Sequence, residues 1–163
     1  PEIPVHVEID KSSANQSRQL VWHAGYECGH SGIDDPHQDL FALGNIVLAA
    51  IASGRPRNEV AELVDSLMYQ IAAHFSEEEA IIAASGFPFV VEHTAAHCEL
   101  LERAARQLEG FRSGAVEIGE IVRFLAEEVV AQHMLEADRI FMRYLQSDAG
   151  TASAPSKTLA LAG

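Results

Sequence analysis

The chain has 163 residues, 48% of them apolar, and a formal net charge of −13. This length and apolar content suit one domain with its own core and exclude a disordered chain. The acidic balance argues against nucleic-acid binding and against docking to anionic lipid, both of which need clustered Lys and Arg. No apolar run approaches the ~20 residues that cross a bilayer. The N-terminus lacks the basic start and apolar stretch of a signal peptide, so the cytoplasm is the expected location. Cys28 and Cys98 form no CxxC pair and are read as buried free thiols.

Residues 1–36 read as an irregular arm, broken by Pro4, Gly25, Gly29, Gly32 and Pro36 and packed on the rest through Trp22 and Tyr26. Strand character at Val5 to Ile9 has no obvious pairing partner. The first helix is expected from Pro36 to Ala52, capped by Asp34 or Asp35, with Leu40, Leu43, Val47 and Ile51 at helical spacing and Gly54 as its end. The second runs from Asn58, as N-cap, to Ser85, with Gly86 as the stop. The third enters through Pro88 and runs to Phe111, with Val90, Leu101, Ala105 and Leu108 on its inner stripe. The fourth spans Ala115 to Leu145, and Gly119 inside it costs roughly 1 kcal/mol relative to Ala. Short connections force successive helices antiparallel, so the expected fold is all-α: an up-down-up-down four-helix bundle over 37–145. Residues 146–163, rich in Ala, Ser, Thr and Gly, read as a flexible tail or linker.

The eight histidines carry the chemistry. Residues four apart share a helix face. His74 and Glu78 make such a pair in the second helix, and His93 and His97 make one in the third. His37 opens the first helix, and His133 lies in the fourth with Glu136 and Asp138 behind it. Each feature alone is ordinary: i, i+4 pairs are often solvated contacts. Together they change the reading. His37, His74, His97 and His133 fall on the apolar stripes of four different helices, and buried polar rings need partners.

A metal supplies such partners. Five imidazoles and two or more carboxylates exceed what one ion uses. Structural zinc takes four ligands, and calcium and magnesium prefer oxygen. Mixed imidazole and carboxylate suits iron, manganese, zinc or copper, and carboxylates can bridge two ions. A site dominated by neutral imidazole carries less negative charge than ferritin-like sites, which favours reversible binding over substrate oxidation. In the fourth helix, α geometry prefers Glu136. Asp138, five residues after His133, is turned roughly 140° away on an α-helix.

From Trp22 to about Tyr144 the chain resembles the hemerythrin family, particularly its bacterial domains. The segment W-H-A-G-Y-E-C-G-H-S-G-I-D-D-P-H looks like that family's arm and first ligand, with Trp22, Gly32, Ile33, Asp34 and His37 in register. H-F-S-E-E is similar to its H-x-x-x-E pair, H-T-A-A-H to its H-x-x-x-H pair, and H-M-L-E-A-D to its H-x-x-x-x-D pair. The resemblance selects Asp138 over Glu136. It implies two iron ions with an oxo or hydroxo bridge. His93, His97 and His133 would hold one iron, His37 and His74 the other, and Glu78 and Asp138 would bridge them. The second iron then keeps an open position for molecular oxygen, and Phe41, Phe75, Val129 and Val130 are candidates for lining that pocket, with ordinary core packing as the competing reading. His6, His23 and His30 have no place in the pattern and read as surface residues. The resemblance implies an oxygen carrier, store or delivery protein rather than an enzyme. It leaves open an oxygen- or redox-sensing input domain of a chemotaxis or cyclic-dinucleotide signalling protein, with a C-terminal signalling domain or a redox partner. A di-iron peroxidase or nitric-oxide-handling enzyme is a third reading.

Overall fold

The structure is a computed structural model that describes residues 7–9 and 18–151. His6, and the tail beyond Thr151 with its linker reading, lie outside them. Within them the chain is helical apart from a small N-terminal ribbon. Helix α1 spans Ser31–Ala52, α2 Arg57–Ser85 and α3 Val90–Ser113. Helix α4 (Ile118–Arg123) runs without a break into a π-helical segment, Phe124–Ala137, and that into α5, Asp138–Thr151. The helical run therefore continues past the expected end at Leu145. No helix among the described residues is long and apolar enough to cross a membrane.

Helix ends differ from expectation for local reasons. Helix α1 begins at Ser31 rather than at Pro36. Asp34, expected to cap it, lies inside its first turns and reaches back instead. Its Oδ1 accepts from the Cys28 N–H and its Oδ2 from the Gly29 N–H, each at 2.8 Å. That stitch winds the chain before Pro36, which lacks only the N–H that the Gly32 carbonyl would have accepted. Pro56, not Asn58, is the N-cap of α2, whose stop is indeed Gly86, with φ +73°. Such a left-handed residue strains any side chain with a Cβ. Pro88 lies in the turn before α3. Glu117 precedes α4, its N–H donating to Glu120 Oε1 at 3.5 Å as in a capping box.

The apolar stripes meet in a core of Val47, Val60, Val64, Leu67, Leu108, Phe111, Ile121 and Phe124. On α3 the buried small residue is Ala104, and Ala105 is exposed. Arg57 closes this end, its guanidinium 4.5 Å above the Phe111 ring and donating to the Phe111 carbonyl at 2.7 Å. A second cluster, Ile33, Ile82, Phe87, Phe141 and Met142, packs separately.

The arm is more ordered than expected. Strand β1 (Val7–Ile9) pairs antiparallel with β2 (Arg18–Leu20), Val7 opposite Leu20, so the strand has a partner after all. Asn45 of α1 holds the ribbon, its Oδ1 accepting from the Leu20 N–H at 2.7 Å and its amide donating to the Leu20 carbonyl at 2.9 Å. Leu20 lies over Gly44, where a Cβ would come within 2.8 Å of its Cδ1. Trp22 then packs edge-on against Tyr26 and Phe41, at 5.5 and 5.1 Å. The expected surface reading fits His30. It fails for His23, which is half-buried against Tyr26, 5.3 Å away. Cys28 is buried as expected, and burial first of all pushes its thiol up to about 11. Cys98 is exposed, contrary to expectation, because it follows inward-facing His97 and points away from the bundle.

Candidate metal centre

Seven of the residues singled out in the sequence converge between the helices. Helix α1 delivers His37, α2 delivers His74 and Glu78, and α3 delivers His93 and His97. The π segment delivers His133, and Asp138 opens α5. All are buried, with none more than 7% exposed. The i, i+4 pairs converge because α-helical winding stacks them on the inward faces of α2 and α3.

The fourth pair converges for a different reason. The Asp138 N–H donates to the His133 carbonyl, five residues back. Such i→i+5 bonding widens the turn and brings residues five apart onto one face. Asp138 is thereby fully buried, with Oδ1 3.2 Å from His133 Nε2, while Glu136 is exposed. The α-helical preference for Glu136 fails because this stretch is not an α-helix.

Donor atoms of Glu78, His93, His97, His133 and Asp138 all lie within 4.8 Å of one another, a grouping able to hold a metal ion. His37 and His74 stand next to it, their ring centroids 4.6 Å apart. The two carboxylates lie between these imidazole groups. Glu78 Oε2 is 3.4 Å from His97 Nε2 and 3.7 Å from His93 Nε2, and 3.9 Å from His74 Nε2 on the other side. Asp138 presents Oδ1 to His93 at 3.4 Å and Oδ2 to His37 at 3.6 Å.

The donor set fits cations better than it fits itself. His37 Nε2, His93 Nε2, both His74 ring nitrogens and all four carboxylate oxygens are buried without a hydrogen-bond partner. Each such orphan costs about 1–3 kcal/mol. Burial, aided by neighbouring imidazoles, lowers the pKa of His37 and His133 to about 3, and burial also lowers that of His74. These rings are therefore neutral at pH 7, the form that ligates metal. Burial, with Glu78 adding repulsion, drives the Asp138 carboxyl well up. Burial pushes Glu78 up too, but the imidazoles facing it, those of His93 and His97 first, outweigh that and hold the carboxyl low. Two acids this close resist a second negative charge, and cations relieve that conflict.

One participant escaped the sequence reading. Glu79 Oε1 lies 2.8 Å from His97 Nδ1. An ionised carboxylate only accepts, so the proton sits on Nδ1 and the Nε2 lone pair faces the cluster, 2.8 Å from His133 Nε2. Phe75 stacks flat on the same ring, centroids 3.8 Å apart and planes 4° apart. The available signal was a second acid directly after Glu78, one step off the inner face and at the seam with α3.

The four pocket candidates divide. Phe41, Val129 and Val130 line an apolar cavity of about 450 Å³ between α1, α2 and the fourth helical run. Phe75 does not line it and packs against the imidazoles instead.

The family model described as "Hemerythrin HHE cation binding domain" matches residues 28–148. The chain is 24% identical to a bacteriohemerythrin of Methylococcus capsulatus over 108 residues, 66% of this chain and 82% of that one. It is 25% identical to one of Stenotrophomonas maltophilia over 122 residues, 75% of this chain and 78% of the relative. To one of Clostridium acetobutylicum it is 24% identical over 132 residues, 76% of this chain and 98% of the other. No solved structure gives a significant match. A hemerythrin domain binds a di-iron centre, and the buried His, Glu and Asp cluster lies inside the matched span. The chain belongs to the hemerythrin family.

Proposed function

We propose that this chain is a non-haem di-iron protein that binds dioxygen reversibly, as a carrier, store or delivery protein, on an up-down-up-down four-helix bundle. One observation supports it above the rest: three imidazoles stand on one side of the Glu78 and Asp138 carboxylates and two on the other. In this reading His93, His97 and His133 hold one iron and His37 and His74 the other, with Glu78 and Asp138 shared. Fewer side chains would hold the ion on the His37 and His74 side, which is the general mark of a reactive site. When bound, the iron pair supplies the electrons for reversible dioxygen binding.

The remaining roles belong to the chain. Glu79 holds the His97 proton on Nδ1. Phe75 and Phe141, each no more than 2% exposed, keep water from the cluster. The apolar cavity beside Phe41, Val129 and Val130 offers neutral dioxygen an approach that hydrated ions and protons do not share.

The test is anaerobic reduction of the iron-loaded protein, then oxygen addition and removal, followed by visible absorption. Bands that appear with oxygen and vanish on its removal, at two irons per chain, support the reading. Immediate irreversible oxidation would instead favour a redox sensor or an enzyme.

A further inference from the structure

The same centre poses a second question: how a hydrated dication reaches it. Against the imidazoles pack the buried rings of Phe75 and Phe141. An ion crossing such a shell loses its hydration with nothing in return. One face differs. Between α1 and α2 lies a cleft of about 170 Å³ lined by Pro36, Asp39, Leu40, Leu43, Gln70, Ala73, His74 and Glu77. Asp39 and Glu77 are exposed, and no ion pair engages either among the described residues. His74, 3% exposed and with both ring nitrogens lacking a hydrogen-bond partner, forms part of the wall. At about 30 Å³ per water the cleft holds roughly six, enough for a partly hydrated ion.

We infer that the cleft formed by Asp39, Gln70, Glu77 and His74 is the port through which divalent iron enters the centre. The two carboxylates raise the local cation concentration. Gln70 offers an amide oxygen in place of lost water. His74 takes the ion from them, because its ring belongs both to the cleft and to the cluster. The apolar cavity against the fourth helical run lies on the adjoining side of α1, with Leu40 in the wall of both, and its lining offers an ion no comparable pair of carboxylates. This inference rests on the di-iron reading.

The experiment mixes metal-free protein with Fe²⁺, and separately with Co²⁺, under anaerobic stopped flow, and counts bound metal at the end. Asp39→Asn combined with Glu77→Gln should slow uptake about 10-fold at low ionic strength, with the gap closing as salt rises and two ions per chain still bound at the end. Ala73→Phe should slow uptake without changing charge. Glu127→Gln, beside the apolar cavity, should leave the rate unchanged. Equal rates in the wild type and the Asp39/Glu77 variant would overturn the port alone, as would an equal slowing by Glu127→Gln. A wild-type chain that takes up no metal would sink the di-iron reading and the port with it.

Discussion

Around Val64, Leu108 and Phe111 the helices meet through apolar side chains that complete one another. Around Glu78 and Asp138 the same helices meet through five imidazoles and two carboxylates, most of them lacking hydrogen-bond partners. The first region is finished by folding alone. The second is finished only when cations enter, so its stability and its function are linked by mass action. One chain thus holds a scaffold that tolerates the cost of an incomplete site.

The largest effect that separates the two regions should come from Asp138→Ala. Asp138 faces both imidazole groups, so the variant should lose both irons while staying helical, read by metal analysis beside circular dichroism. Retention of two irons would erase the contrast. Next, Phe111→Ala should cost about 3–5 kcal/mol of stability, in the metal-free and loaded forms alike, and leave two irons per chain. Loss of iron there at unchanged stability would show that the regions are not separable.

Acid should sharpen the comparison further. His37 and His133 titrate at 6.5 when unfolded and are held at about 3 when folded, chiefly by burial. The unfolded chain binds more protons on these two rings between those values, so their share of the metal-free protein's stability should be full above pH 6.5 and fall as pH drops toward 3, opposed by Asp138, whose raised carboxyl favours the folded state as pH falls. Urea titrations at several pH values check this, and a flat profile would contradict it. The smallest effect should belong to Glu79→Ala, which frees His97 Nδ1 without removing a ligand. Iron affinity should fall about 10- to 100-fold in competition with a chelator, while Glu79→Gln, which keeps an acceptor, should recover part of it.

Much of this contrast is legible in the amino-acid sequence, for an identifiable reason. His74, Glu78, His93 and His97 lie on α-helices, where spacing alone predicts a shared face. The partnership of His133 with Asp138 is not legible that way, since nothing in F-L-A-E-E-V-V-A-Q-H-M-L-E-A announces π winding. Family resemblance chose Asp138, and the i→i+5 hydrogen bond explains the choice. Glu79 was hidden because its partner lies 18 residues away on another helix. The early start of α1 was hidden because Asp34 looked like a cap. It is a stitch to Cys28 and Gly29 formed only once the loop has folded back.

The central claim is that these seven side chains hold two irons. Its most direct test is crystallography of the iron-loaded protein with anomalous scattering measured at the iron edge. The account predicts two peaks, one against His93, His97 and His133 and one against His37 and His74, with Glu78 and Asp138 reaching both. A single peak, or iron held by residues outside this set, would contradict it.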